Sequence, residues 1–314
     1  MRSSDPEQLL QAAADGDRAA LARLISLVER GGEPAREVGR LAYPRGGEAY
    51  TVGVTGAPGS GKSTLTNRLI AVMRAEELPV AVLAIDPSSP FSGGAILGDR
   101  VRMQDHATDP EVFIRSMATR GHLGGLALAA PEAIRILDAA GRRWVLLETV
   151  GVGQVEVEVA GAADTTVVVV NPGWGDAVQA NKAGLMEIAD LFVINKADRP
   201  GAPETHRDLE QMLDMSQLGD WRPKIVTAVA TKDEGSEEVW AAIGEHRRFL
   251  EESGQLQERR QRRIAEELRE IVARSLEERA RQMCAGPDYE RLYQRVLSRE
   301  IDPWTAAGAI IDRV

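Results

Sequence analysis

Apolar residues recur at helical spacing near both ends of the chain and form short continuous runs between them. In residues 5–30, leucine, isoleucine and valine return every three or four positions, which predicts one or two amphipathic helices before a break at 31–34. Residues 255–282 keep the same period over a much longer stretch and predict one long helix. Two shorter helices are expected after it, at about 288–298 and 303–313.

From Tyr50 onward, short apolar runs alternate with helical segments. Several runs are continuous and rich in β-branched residues, which is typical of strands buried on both faces of a parallel sheet. The alternation predicts a doubly wound, mostly parallel α/β fold. The predicted strands are Tyr50–Thr55, Val80–Ile85, Val112–Arg115, Trp144–Leu147, Thr165–Val170, Leu191–Ile194 and Lys224–Val229.

These patterns divide the chain into three predicted parts. Residues 1–45 form an N-terminal helical extension, residues 46–253 the α/β domain and residues 254–314 a C-terminal helical arm. The long helix of the arm exceeds what one flank of an α/β domain needs, and its apolar positions lie among nearly balanced charges. Such a helix either packs on its own domain or serves dimerisation. Its length favours dimerisation, with the apolar stripe buried in a second copy of the chain, so a homodimer is expected.

The composition is that of an ordinary soluble protein with a sizeable core: 314 residues, 43% of them hydrophobic and 27% charged. With 38 basic and 48 acidic residues, the net charge of −10 shows no general bias toward nucleic acid or anionic membranes. No apolar run approaches the ~20 residues of a membrane span, and the start lacks the apolar core of a signal peptide. One cysteine, Cys284, excludes an internal disulfide. A cytoplasmic protein is expected, without membrane or nucleic-acid partners.

The segment after the first predicted strand matches the phosphate-loop pattern G-x-x-x-x-G-K-[ST] at every position and opens a helix. Its glycines let backbone N–H groups surround a phosphate at the positive end of that helix. Lys62 is expected to reach the β- and γ-phosphates, and the Ser63 hydroxyl to bind Mg²⁺. The motif predicts a P-loop NTPase fold. The expected nucleotide contacts are Gly56, Ala57, Pro58, Gly59, Ser60, Gly61, Lys62, Ser63 and Thr64.

The tetrapeptide Asn195-Lys-Ala-Asp198 follows the sixth predicted strand and indicates a guanine site. Asp198 can accept hydrogen bonds from the N1–H and 2-amino groups of guanine, whereas adenine would leave a buried carboxylate unpaired. The aliphatic stem of Lys196 can cover the ring. GTP and GDP are therefore the expected nucleotides. Further base contacts are expected from the loop that ends the last strand, at Val229, Ala230 and Thr231.

Acidic residues stand at the ends of two more predicted strands and on one loop. Glu148 follows the fourth strand and is expected to bind Mg²⁺ directly or through water. It opens a [DE]-x-x-G segment, in which the N–H of Gly151 would sense the γ-phosphate. Asp86 and Asp99 are further carboxylates for Mg²⁺ binding, although Asp99 also suits a helix cap or a plain surface position. No glutamine directly follows Gly151, so Gln154 is the candidate for orienting the attacking water.

Several of these stretches together resemble the MeaB/ArgK family of P-loop GTPases, and the resemblance covers nearly the whole chain. Members are chaperones of adenosylcobalamin-dependent acyl-CoA mutases, chiefly methylmalonyl-CoA mutase. The resemblance implies a slow, partner-stimulated GTPase that gates cofactor loading and protection of such a mutase. A cobalamin adenosyltransferase is a further candidate partner. The stretches are residues 56–64, 84–89, 93–99, 148–154 and 195–198.

The resemblance extends to an additional switch loop at residues 172–184. In the family this loop contacts the mutase and transmits the nucleotide state, which makes Asp176 and Lys182 a partner-responsive pair that contributes to catalysis. Lys182 is one of only five lysines. The chain departs from the family at Pro90-Phe91-Ser92, where a polar, threonine-bearing segment is expected. The sequence therefore does not identify which residue of this segment, if any, closes on the γ-phosphate.

Two other functions share parts of this pattern. One is a P-loop kinase or ATPase linked to transport of basic amino acids such as lysine, arginine and ornithine, and the guanine-type tetrapeptide argues against it. The other is a nickel metallochaperone GTPase, which would load metal through cysteine or histidine clusters. This chain has one cysteine and four scattered histidines.

Overall fold

The computed structural model describes residues 5–87, 105–106, 108–119, 125–149, 155–173, 187–216 and 219–312. The chain forms two compact units, Met1–Arg263 and Ile264–Val314.

The first unit opens with three helices, one more than the sequence predicted. The side chain of Asp5 caps the first helix and that of Asp17 caps the second, each by accepting backbone N–H groups of the first turn. The third helix starts where only a break was expected, since Pro34 lies in its first turn, a position that tolerates proline. The helices are α1 (Pro6–Ala14), α2 (Arg18–Arg30) and α3 (Glu33–Ala42).

A seven-stranded parallel sheet forms the centre of this unit, in the order β3-β2-β4-β1-β5-β6-β7. All seven predicted strands are present, and the doubly wound parallel sheet is confirmed. The last strand ends one residue earlier than expected, because Val229 leaves the sheet and pairs with Glu234. The strands are β1 (Tyr50–Thr55), β2 (Val80–Pro87), β3 (Val112–Thr119), β4 (Trp144–Thr149), β5 (Thr165–Val170), β6 (Leu191–Asn195) and β7 (Lys224–Ala228).

Helices cover both faces of the sheet. Because successive side chains of a strand point to opposite faces, neighbouring residues pack into different cores. Val145 and Leu147 of β4 pack with the N-terminal helices, whereas Leu146 packs with Leu65 on the other face. The strand order reverses around β1, and ligands of such sheets bind beyond the carboxyl ends at this point. The flanking helices are α4 (Lys62–Ala75), α5 (Gly125–Ala139), α6 (Val155–Ala162), α7 (Ala202–Met215) and α8 (Ser236–Glu252).

The long helix predicted near the C-terminus is present as α9 (Gln255–Met283), and its first turns belong to the first unit. There Arg260 donates to Asp164 at 2.8 Å, and Arg259 donates to both oxygens of Asp190 at 3.0 and 3.1 Å. Burial alone would raise the pKa of Asp164, but the hydrogen bond from Arg260 and the charges of Arg263 and Arg260 outweigh it and hold that pKa below its usual value. The helix is therefore anchored at the amino-terminal edge of β5 and β6.

The second unit contains the rest of α9 and two short helices, α10 (Pro287–Leu297) and α11 (Pro303–Ile311), close to the predicted positions. Leu292 and Ala306 are buried. The apolar side chains of α9 in this unit are largely exposed: Ile264, Leu268, Ile271, Val272 and Leu276. Among the helices described, none has the length and apolar character of a membrane span.

Candidate nucleotide-binding site

The phosphate-loop segment forms a tight turn between β1 and α4. Gly56 has φ +134° and Gly61 has φ +94°, conformations that L side chains rarely adopt. A Cβ atom on Gly56 would overlap the carbonyl oxygen of Val169, and one on Gly61 would overlap the side-chain nitrogen of Asn195. Both positions therefore require glycine, for backbone conformation and for space.

The side chain of Lys62 lies across this turn. Its Nζ donates to the carbonyl oxygens of Gly56 at 2.8 Å and Ala57 at 3.1 Å, and the residue is buried. A phosphate oxygen is a stronger acceptor for an ammonium group than a carbonyl, because both partners then carry charge. The lysine is thus held in the turn and is able to exchange a carbonyl for a phosphate.

A hydroxyl and a carboxylate meet beside the phosphate loop. Val54 of β1 is in register with Glu148 of β4, and the Ser63 hydroxyl donates a hydrogen bond to the Glu148 carboxylate. Both residues are buried. Mg²⁺ prefers hard oxygen ligands and keeps several of its waters, so one hydroxyl and one carboxylate beside a phosphate site suit it. The pair fits a magnesium ion held together with a nucleotide phosphate.

The predicted guanine residues lie against the phosphate loop. Asn195 donates from Nδ2 to the carbonyl oxygen of Ser60 at 2.8 Å, and its Oδ1 accepts the N–H of Ala230 at 3.1 Å. This buried amide therefore joins the phosphate loop to the loop after β7. Three segments that are far apart in sequence meet at one side chain.

The two charged residues of the tetrapeptide face different partners. Lys196 adopts a positive φ of +59° and donates from Nζ to the carbonyl oxygen of Gly59 at 2.5 Å. Partial burial, and then the charge of Arg199, lower the pKa of Lys196. The Asp198 carboxylate lies 3.1 Å from the Nζ of Lys232. Lys232 was not predicted as a site residue, although its place directly after the expected base contacts was a usable signal.

The loop after β7 also contacts α4. Val229 and Ala230 are buried and Thr231 is exposed, and Arg68 donates from Nε to the Ala230 carbonyl oxygen at 3.0 Å. Nothing in the sequence marks Arg68, because it lies outside every motif and its partner is far along the chain. The contact is visible only in the folded structure.

The phosphate loop, Glu148, the tetrapeptide and the loop after β7 therefore converge at the carboxyl edge of the sheet. The backbone of Asp86 lies on β2, which pairs with β4 up to Ile85 and Thr149. In the parts of the chain described, no three His, Cys, Asp or Glu side chains gather as a metal site. Predicted site residues that lie outside the described residues are Asp99, Gly151, Gln154, Asp176 and Lys182, and so is the segment Pro90-Phe91-Ser92.

Comparison with known proteins gives one family. The family model described as methylmalonyl Co-A mutase-associated GTPase MeaB matches residues 21–285. A protein of Pyrococcus abyssi named as a GTPase is 53% identical over 313 residues, covering 98% of this chain and 96% of that protein. The methylmalonic aciduria type A homolog of Caenorhabditis elegans, a protein named as mitochondrial, is 34% identical over 275 residues, covering 81% of this chain and 69% of that protein.

A solved structure is similar over nearly the full length. The crystal structure of an LAO/AO transport system kinase superposes with a TM-score of 0.73 at 30% identity, covering 99% of this chain and 98% of that chain. The predicted P-loop NTPase fold is confirmed by this match.

Proposed function

The chain belongs to the MeaB family of P-loop GTPases, and we propose on this basis that it is a GTP-dependent chaperone of an adenosylcobalamin-dependent acyl-CoA mutase. The chain is a GTPase, and the proposal concerns what its hydrolysis controls. The observation that carries it is the family match over residues 21–285, whose description names methylmalonyl Co-A mutase. The similarity to a methylmalonic aciduria type A homolog supports the same partner.

In this proposal one group of residues binds the phosphates and a second group binds the guanine base. Lys62 leaves the carbonyls of the phosphate loop for the β- and γ-phosphates, and the glycine-rich backbone surrounds them. Asp198 exchanges Lys232 for the N1–H and 2-amino groups of guanine. Asn195 keeps the two groups at a fixed spacing, because it bonds to both.

Ser63 and Glu148 would hold the magnesium ion, with Asp86 and Asp99 as further candidate ligands. When bound, Mg²⁺ neutralises charge that develops on the transferred phosphoryl group. The Ser63 hydroxyl must release the Glu148 carboxylate for both oxygens to face a cation. The hydrogen bond between them therefore keeps the two ligands together before the nucleotide arrives.

The remaining roles follow from the family resemblance. Gly151 would sense the γ-phosphate, Gln154 would orient the attacking water, and Asp176 with Lys182 would respond to the mutase. Such a protein hydrolyses GTP slowly alone and faster with its partner, because the partner completes the stabilisation of the transition state. Nucleotide-dependent ordering of a loop is a common way to pass this state to a partner.

We also propose a cytoplasmic homodimer that pairs through the C-terminal arm, with residues 1–45 as an extension and 46–253 as the GTPase domain. The exposed apolar side chains of α9, Ile264 to Leu276, support the pairing, because exposed stripes of this kind usually mark interfaces. A cobalamin adenosyltransferase is a further proposed partner, since a gated loading step needs a source of the cofactor.

The test is GTP turnover with and without a purified adenosylcobalamin-dependent methylmalonyl-CoA mutase. Wild type should be stimulated, and Lys182→Ala should bind GTP normally but respond much less. Lys224→Ala is the matched control, because this lysine pairs with Glu245 at the opposite edge of the sheet. Failure of the mutase to stimulate wild type would contradict the proposed partner. ATP turnover equal to GTP turnover would instead favour a kinase or ATPase role.

A further inference from the structure

One arginine outside all the motifs links the helix of the phosphate loop to the loop after β7. Arg68 lies on α4, whose first residues are Lys62 and Ser63. Its Nε donates to the Ala230 carbonyl oxygen at 3.0 Å and lies 3.9 Å from Asp233. The Arg68 side chain is 35% exposed, so its hydrogen bond to the carbonyl is partly shielded from water.

The backbone of Ala230 is fixed on both sides by side chains. Its N–H donates to the Oδ1 of Asn195 at 3.1 Å, while its carbonyl accepts from Arg68. The turn from Val229 to Lys232 is closed by a hydrogen bond from the N–H of Lys232 to the Val229 carbonyl at 2.8 Å. A turn of this kind has no internal acceptor for the N–H of Thr231, which leaves that donor for a ligand.

The N–H donor of Thr231 can distinguish guanine from adenine. Guanine carries an acceptor at O6, where adenine carries an amino group, so a fixed N–H donor at this point discriminates between them. Recognition of this kind needs the donor held within about 0.5 Å of its productive place by surrounding hydrogen bonds. Arg68 bonds to the carbonyl of the peptide unit that carries the Thr231 N–H, and Asn195 accepts the N–H of the peptide unit before it.

We propose that Arg68 is a positioning residue for guanine recognition, which holds the Val229–Thr231 loop so that the N–H of Thr231 meets O6 of the base. The inference rests on the proposed guanine site and assigns a residue to it. Because α4 also starts with the phosphate-binding Lys62, one helix sets the distance between the phosphate contacts and the O6 contact. Arg68 itself does not touch the nucleotide.

The test compares GDP with 6-thio-GDP, in which the O6 acceptor is replaced by sulfur, a weak acceptor. The measured quantity is the ratio of the two dissociation constants, obtained by calorimetry. In wild type the ratio should be about tenfold, the usual size of one hydrogen bond to a ligand in a shielded site. In Arg68→Ala the ratio should fall toward one. The lost positive charge affects both ligands equally and cancels in the ratio.

Arg74→Ala is the matched control, because Arg74 lies on the same helix and also bonds to a carbonyl and an acid. Its partners are the Leu78 carbonyl at 2.9 Å and Asp109 at 2.8 Å, at the other end of α4. This control should keep the wild-type ratio. Arg68→Lys, which restores a donor, should recover part of it. A purely structural role for Arg68 would lower the melting temperature and leave the ratio unchanged.

Two results would overturn the inference while the guanine site stands. One is a wild type that prefers GDP to ADP but shows the same ratio in Arg68→Ala. The other is a wild-type ratio near one, which would show that O6 is not read at all. Equal affinities of wild type for GDP and ADP would instead overturn the guanine site itself, and the role of Arg68 with it.

Discussion

The Nζ of Lys232 lies 3.1 Å from the Asp198 carboxylate, the group expected to read guanine. The two side chains come from the loops that follow β7 and β6, and both are partly exposed. Asp198 is therefore already paired before any base arrives. In the proposed site, guanine would therefore have to displace an ammonium group from this carboxylate.

Lys232→Met should tighten GDP binding slightly, because it removes the competitor and keeps the apolar stem. Exposed ion pairs contribute about 0–1 kcal/mol, so the gain is at most about fivefold. It should be largest at low salt, where the pair is least screened. Titration calorimetry at two salt concentrations measures it. A GDP affinity about tenfold weaker than wild type would show that Lys232 is a base contact instead.

Asp198→Asn should exchange guanine for xanthine. The amide presents a donor where the carboxylate accepts, so it matches the 2-oxo group of xanthine and loses the 2-amino group of guanine. Such a mismatch at a polar base contact costs orders of magnitude in affinity. Binding of GTP and xanthosine triphosphate to wild type and variant, compared side by side, tests the assignment. Unchanged GTP binding in the variant would place the base elsewhere.

Glu148→Gln should weaken Mg²⁺-dependent hydrolysis more than nucleotide binding. The amide keeps the shape and can still accept from Ser63, but it removes the charge that favours a divalent cation. Glu245→Gln is a suitable control, since Glu245 is a surface acid paired with Lys224. GTP turnover against magnesium concentration is the measurement. Wild-type turnover in Glu148→Gln would remove this residue from the metal site.

Leu268→Glu combined with Leu276→Glu should convert the expected dimer to a monomer that still binds GDP. Both leucines are about 60% exposed on α9, and a charge there would be buried unpaired in a dimer. Glu270→Gln on the same helix should leave the dimer intact. Light scattering gives the molar mass of the wild type and of each variant, and so distinguishes dimer from monomer. A monomeric wild type, or a variant that stays dimeric, would exclude pairing through this stripe.

The sequence predicted the elements and motifs whose signals are local. The apolar runs fall on all seven strands, and the residues from Gly56 to Thr64 form the expected turn and the start of α4. The family resemblance drawn from the motifs is confirmed by the match over residues 21–285. What the sequence could not show are contacts between distant segments, such as Arg68 with Ala230 and Arg260 with Asp164. A local sequence pattern does not show which distant acceptor an arginine side chain will bind.

The contacts of α9 decide where the C-terminal arm can be removed without harm to the first unit. Asp164 is 1% exposed and receives charged hydrogen bonds from Arg260 and Arg263. A chain that ends near Gly254 would lose both arginines and leave the Asp164 carboxylate with the Thr51 N–H but without its ion pairs. A chain that ends after Arg263 keeps both ion pairs, so it is the better reference for a protein that lacks the proposed dimerisation stripe.

A buried histidine lies next to this anchored region. His246 is fully buried, with Nδ1 2.8 Å from the Thr165 hydroxyl and Nε2 3.3 Å from Asp190. Burial lowers the pKa of His246 to about 4; Asp190 and Asp164 act in the opposite direction, and the charge of Arg259 adds to the lowering. Since Asp190 is shared with Arg259, its attraction for a proton on the imidazole is too weak to reverse the effect of burial.

This histidine should make folding stability fall as the pH decreases from 6.5 toward 4. In that window the unfolded chain binds a proton that the folded protein does not, and the loss reaches up to about 3 kcal/mol. In His246→Gln, which cannot titrate, this component of the slope should disappear, while His206→Gln on α7 should keep it. Urea unfolding at several pH values gives the slopes. A wild-type slope in His246→Gln would show that other groups cause the acid sensitivity.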